Sequence, residues 1–131
     1  MSETSGRKHR LAGLYEAFVT GDFEQVRKGL SSRVEYVNPA DAVEPGTRIG
    51  PDAFVDALRR LHDMFDYDRY EIAELVERGD RTVSVVRFVV KGRSSDVPID
   101  AEFTHLIAWD GPVLARLEWF RAPDEALAAL G

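Results

Sequence analysis

The run Pro98-Ile-Asp-Ala-Glu-Phe-Thr-His-Leu-Ile-Ala-Trp-Asp-Gly-Pro-Val-Leu-Ala-Arg-Leu-Glu-Trp-Phe120 contains two segments rich in β-branched and aromatic residues that meet at Asp110-Gly111-Pro112. Asp-Gly supplies the positive φ that a tight reversal needs, so the run reads as a β-hairpin. A period of two puts Ala101, Phe103, His105, Ile107 and Trp109 on one face of the first strand, with Glu102, Thr104, Leu106 and Ala108 on the other. The second strand divides into Leu114, Arg116, Glu118 and Phe120 against Val113, Ala115, Leu117 and Trp119. No face of either strand is cleanly polar, so both sides of the hairpin are expected to be covered. A histidine and a glutamate stand mid-strand among aromatics.

Working outward, 131 residues with 44% hydrophobic and 31% charged side chains make one globular domain, large enough to bury a core. The net charge of −6 argues against a nucleic-acid partner, which needs a basic face for phosphates. With no cysteine, disulfides, thiolate catalysis and cysteine metal sites are excluded. Ser2 to Arg10 lacks the apolar core of a signal peptide, and no apolar run reaches membrane-spanning length. The expectation is a cytoplasmic protein with no membrane contact.

Residues 1–8 are expected to be flexible, with a single domain over 9–131. Leu11, Leu14, Tyr15 and Phe18 form one helical stripe that ends at Gly21. Asp22 is a fitting N-cap for a second helix carrying Phe23, Val26 and Leu30. Val34 to Val37 reads as a short strand stopped by Asn38-Pro39, followed by a loop from Ala40 to Gly50. Pro51 suits the first turn of a third helix with Phe54, Leu58, Leu61 and Phe65 on its buried side. Strands are then expected over Tyr70–Glu77 and Thr82–Lys91, turning at Arg78-Gly79-Asp80, before the hairpin and a short helix from Ala122 to Leu130. Helices on one side of an antiparallel sheet make an α+β fold.

Leu14-Tyr15-Glu16-Ala17-Phe18, Gly21-Asp22-Phe23, Val34 to Pro39 and Gly50-Pro51-Asp52-Ala53-Phe54 resemble the opening of the NTF2-like superfamily. Phe103-Thr104-His105-Leu106, Trp109-Asp110-Gly111, Leu117-Glu118-Trp119-Phe120 and Glu125-Ala126-Leu127 are similar to its SnoaL-like, polyketide cyclase-like branch. The resemblance implies a cone in which a curved sheet packs on three N-terminal helices around an interior pocket. That fold hosts cyclases, isomerases, hydrolases and inert binders, so it does not carry a reaction by itself. Residue by residue, the general-base aspartate of the steroid-isomerase relatives falls on Asn38, an amide that accepts no proton. Their oxyanion tyrosines fall on Leu14, Leu30 and Leu58, their acidic oxyanion partner on His105, and a cyclase aspartate near Arg121.

With the inward face set by the resemblance, Phe103, His105, Arg116, Glu118 and Phe120 are expected on the pocket wall. His105 and Glu118 lie on adjacent strands, where a carboxylate can orient an imidazole and raise its pKa, as a catalytic acid or base requires. Against that dyad stands a structural reading in which Glu118 pairs with Arg116. Tyr15, Phe18, Tyr36, Asn38, Leu58, Phe65, Phe103, Arg116 and Phe120 are the expected ligand contacts, although Tyr15 also fits plain helix packing. His62-Asp63 with Asp66 and Asp68 lacks the spacing of a metal site and reads as a solvated helix end, so no metal or cofactor is expected. Val85, Leu106, Leu117 and Trp119, taken as outward-facing, make an apolar patch too large for a monomer and suggest a homodimer through the outer sheet face. The function expected is binding of a small apolar, polycyclic or aromatic-ketone ligand with isomerase- or cyclase-type acid–base chemistry by His105. The alternative is a non-catalytic binding or dimerisation module.

Overall fold

Three helices lead the chain because each carries an apolar stripe and a clear boundary. The computed structural model describes residues 3–42 and 45–131, with side chains from residue 6 onward. Helix α1 (Glu3–Thr20) buries Leu11, Tyr15, Phe18 and Val19. It begins well before His9, the expected start, because Arg7 is itself buried and its guanidinium donates to the Gly79 carbonyl. Met1 and Ser2 of the segment expected to be flexible lie outside the described residues. Helix α2 (Phe23–Lys28) is capped as its sequence demands, the Asp22 carboxylate accepting from the Gln25 amide at 3.3 Å. Helix α3 (Pro51–Met64) places proline in its first turn and buries Phe54, Val55 and Ala57.

Six strands form one sheet in the order β2-β1-β6-β5-β4-β3. Strands β3 (Phe65–Arg78), β4 (Arg81–Gly92), β5 (Pro98–Asp110) and β6 (Val113–Phe120) are antiparallel neighbours. Gly111, at φ +56°, makes the β5–β6 reversal that Asp-Gly foretells. Strand β1 (Leu30–Asn38) is longer than its apolar run suggests and lies parallel to β6, Tyr36 opposite Leu117. Part of the expected 40–50 loop is a strand, β2 (Gly46–Ile49), which hydrogen-bonds to the end of β1. Val43 and Glu44 of that loop lie outside the described residues. Helix α4 (Pro123–Leu130) closes the element order. Among the described residues no helix is long and apolar enough to cross a membrane.

The sheet's inner face packs on α1, α2 and α3, building the main core from Val34, Tyr36, Val86, Phe88, Ile107, Trp109, Leu114 and Leu117. Its outer face is covered by α4, whose Ala126 and Leu130 bury Val83 and Leu106, with Val76, Phe120 and Leu127 around them. Arg81 ties the helix down by donating to the carbonyls of Ala129 at 3.2 Å and Leu130 at 2.6 Å.

One bulge decides which side chains reach the interior. Trp109 pairs with Leu114 and Ala108 with Arg116, so Ala115 is an extra residue in β6. It reverses the alternation: Leu114 faces inward, and so do Leu117 and Trp119, while Arg116, Glu118 and Phe120 point outward. The expected inward face of β6 is therefore corrected. Arg116 lies 3.8 Å from Glu35 and 3.3 Å from Glu118 on the outside, and Phe120 packs on the α4 side. The expected dimer patch changes as well. Leu117 and Trp119 face the cavity, Leu106 lies under α4, and Val85 is already 4% exposed.

Candidate functional site

Between the inner sheet face and the helices lies a cavity of about 200 Å³. Helix α1 contributes Leu11, Leu14, Tyr15 and Phe18; helix α3 contributes Phe54, Leu58, Leu61 and Met64, followed by Phe65. Phe88, Phe103, Leu114, Leu117 and Trp119 come from the sheet, with Tyr36 and Asn38 at the end of β1. The wall is aliphatic and aromatic, which follows from three leucines standing where the resemblance implied hydroxyls. The Tyr36 ring centre lies 4.7 Å from that of Phe54, and Phe103 is parallel to His105 at 6.3 Å and tilted against Trp119 at 5.8 Å.

One polar pole interrupts this wall. His105 is held across β4 from Ser84 and across β6 from Trp119. Directly opposed residues share a face, so Ser84 and His105 both point inward, toward Tyr15 on α1. The Tyr15 hydroxyl lies 2.8 Å from His105 Nδ1 and 3.0 Å from Ser84 Oγ. Ser84 is fully buried and Tyr15 is 6% exposed. Burial pushes the His105 pKa down to about 4, so its imidazole is neutral near pH 7. Burial also raises the Tyr15 hydroxyl far above the ordinary phenol range, only partly countered by Ser84. Tyr67, whose hydroxyl donates to the Leu61 carbonyl at 3.4 Å, is pushed up to about 12 by burial, with Tyr36 adding to it. The pole is thus a set of neutral hydrogen-bonding groups rather than an ion pair.

The expected His105–Glu118 dyad is not formed. Glu118 opposes Leu106 on the outer face, one strand position and one sheet side away from the imidazole. Of the expected ligand contacts, Tyr15, Phe18, Tyr36, Asn38, Leu58, Phe65 and Phe103 line the cavity, whereas Arg116 and Phe120 do not. Sequence reasoning missed Ser84, Tyr67 and Trp119. Ser84 carried a usable signal, a single small polar residue inside Val83-Ser84-Val85-Val86, and the β4–β5 register aligns it with His105. His62 accounts for itself locally, donating through Nε2 to the Val19 carbonyl at 3.2 Å and stacking on Tyr67. Among the described residues no cluster of three or more metal-ligating side chains occurs.

The family model of the SnoaL-like domain matches residues 11–122. This chain belongs to the SnoaL-like family. No curated protein matches it by sequence. Among solved structures, TerC co-crystallised with polyporic acid superposes on this SnoaL-like chain with a TM-score of 0.73 at 21% identity, covering 95% of this chain and 97% of TerC. A protein with a ketosteroid isomerase-like fold from Catenulispora acidiphila, in complex with trimethylamine, gives 0.72 at 13% identity over 91% and 89%. An NTF2-like protein of unknown function from Burkholderia pseudomallei gives 0.70 at 21% identity over 99% and 98%. These likenesses establish the α+β, NTF2-like architecture expected from the sequence. The SnoaL-like chain departs from the steroid-isomerase pattern inside the cavity itself, where Leu14, Leu30, Leu58 and Asn38 all form wall. Arg121 sits apart from it, paired with Asp41 and with its guanidinium 5.4 Å from the Trp119 ring centre.

Proposed function

We propose that this SnoaL-like protein binds a small, flat, mostly apolar molecule of one or two rings, held by a single hydrogen bond at His105. The observation that carries this reading is an apolar cavity whose wall is broken by the neutral Tyr15–His105–Ser84 cluster. Size narrows the ligand class. An apolar cavity of about 150 Å³ accommodates benzene, so about 200 Å³ suits an aromatic ketone or phenol better than a four-ring skeleton. That TerC, of like fold, was co-crystallised with polyporic acid supports small-molecule binding as a use of this fold. Acid–base turnover is the second reading. It is favoured by His105 at the wall and opposed by an imidazole pKa of about 4, too low for an efficient base near pH 7. A cytoplasmic location belongs to the same proposal.

Homodimerisation is also proposed, with the interface moved to the part of the outer face beside α4. The Arg87–Glu102 pair, at 3.4 Å and with both side chains partly exposed, sits there. Sedimentation velocity tests it, and a wild-type monomer at high concentration would remove it.

The binding test is calorimetry against acetophenone, 2-naphthol and a four-ring steroid ketone. One- and two-ring compounds should bind and the steroid should not. Leu58→Trp, which fills the cavity, should abolish binding without unfolding the protein. Equal binding of acetophenone by wild type and Leu58→Trp would place the ligand elsewhere.

A further inference from the structure

The Tyr15 hydroxyl has one proton and two neighbours, the half-buried His105 Nδ1 at 2.8 Å and the buried Ser84 Oγ at 3.0 Å. Two proton arrangements satisfy this geometry. In one, Nδ1–H donates to Tyr15 and Tyr15 donates to Ser84, which leaves His105 Nε2 as an acceptor. In the other, Ser84 donates to Tyr15 and Tyr15 donates to Nδ1, which makes Nε2–H a donor. Among the described residues, Nδ1 is the ring nitrogen engaged by a protein partner, and His105 lines the cavity, so Nε2 is the nitrogen left for a ligand.

We infer that Ser84 and Tyr15 make His105 a convertible contact, so the cavity takes flat bicyclic ligands bearing either one hydrogen-bond donor or one acceptor. A ligand carbonyl selects the Nε2–H tautomer, and a ligand N–H or O–H selects the Nδ1–H tautomer. Either choice keeps both hydrogen bonds of the Tyr15 hydroxyl, to His105 Nδ1 and to Ser84 Oγ, so Tyr15 and the imidazole stay paired in both. Ser84 acts here as a positioning residue, touching the ligand through nothing but the tautomer it permits. The inference rests on the cavity being the ligand site.

Removing the serine hydroxyl breaks the symmetry in one direction. In Ser84→Ala the Tyr15 proton has one acceptor left, Nδ1, so His105 is locked as an Nε2–H donor. Indole and 1-indanone are near-isosteric bicycles, the first a pure donor and the second a pure acceptor, and both are sized for this cavity. Wild type should bind both with affinities within about threefold. Ser84→Ala should keep 1-indanone and lose indole by about tenfold, the equivalent of one hydrogen bond.

Nitrogen NMR of ¹⁵N-histidine-labelled protein, assigned with His105→Gln, reads the tautomer directly. Wild type should carry its proton on Nδ1 with indole and on Nε2 with 1-indanone, and Ser84→Ala should show Nε2–H with either. These wild-type spectra need no substitution, so the test stands even if Ser84→Ala fails to fold. The same tautomer with both ligands overturns the inference while leaving the binding reading intact. If neither bicycle binds wild type, the binding reading falls and the convertible contact falls with it.

Discussion

Holding His105 neutral inside the fold has a measurable cost in acid. Its folded pKa of about 4 lies below the ordinary 6.5, so protonation favours the unfolded chain. The stabilising term is complete above pH 6.5 and is lost as pH falls toward 4. The full shift corresponds to about 3 kcal/mol, and linkage puts about 2 kcal/mol of it between pH 7 and about pH 4.5. The perturbation that isolates it is His105→Gln, which keeps a side chain able to pair with Tyr15 but does not titrate there. Urea unfolding followed by Trp109 and Trp119 fluorescence should show wild type losing about 2 kcal/mol more than the variant across that interval, with the carboxylates common to both cancelling. Parallel pH dependences in the two proteins, or an NMR midpoint for His105 near 6.5, would refute the buried neutral imidazole.

Three further outcomes follow from the same geometry. Trp119→Glu should destabilise the fold by roughly 3 kcal/mol in urea melts by placing an unpaired carboxylate in the cavity, whereas Glu118→Gln should change stability by less than about 1 kcal/mol and leave the His105 titration unmoved. Gly29→Ala brings its new methyl to 2.6 Å from Leu14 Cδ2, which must swing into the cavity; calorimetry should show weaker 2-naphthol binding, with a stability loss of about 1 kcal/mol. Turnover of a 5-ene steroid ketone should be undetectable by absorbance, because Asn38 cannot serve as base and leucines replace the oxyanion donors, each worth about 3 kcal/mol.

Element identity was legible because it rests on local chemistry: Asp22 as a cap, Pro51 in a first turn, Asp110-Gly111 at a reversal. The inner face of β5 was also legible, since Phe103, His105, Ile107 and Trp109 alternate without interruption. The inner face of β6 was not. Both of its faces carry large apolar residues, because α4 covers the outside, so hydrophobicity gave no sign of direction. The bulge at Ala115 then put Leu114 in phase with Leu117 and Trp119 rather than with Arg116. A small alanine between two strand residues announces nothing of the kind, and the same slip carried Glu118 away from His105. Strand β2 was hidden for another reason: Gly46-Thr47-Arg48-Ile49 has one strongly apolar residue, Ile49, and that residue is 67% exposed. The link from Tyr15 to Ser84 joins positions 69 residues apart and depends on the sheet register, which no local pattern specifies.

The parallel pairing of β1 with β6 sets a timetable for folding. Glu35 meets Arg116 about eighty residues later in the chain, whereas β3, β4, β5 and β6 each pair with a neighbour in sequence. The four-stranded meander can assemble from successive hairpins, but β1 and its short companion β2 must wait for a long loop to close, a slow and entropically costly step. Tyr36 and Asn38 ride on that late strand, so the cavity acquires its last wall only after the rest of the sheet is standing. A ligand already resting on the meander would then be enclosed by folding itself, and refolding in its presence is a route to loading the cavity distinct from entry into the finished protein.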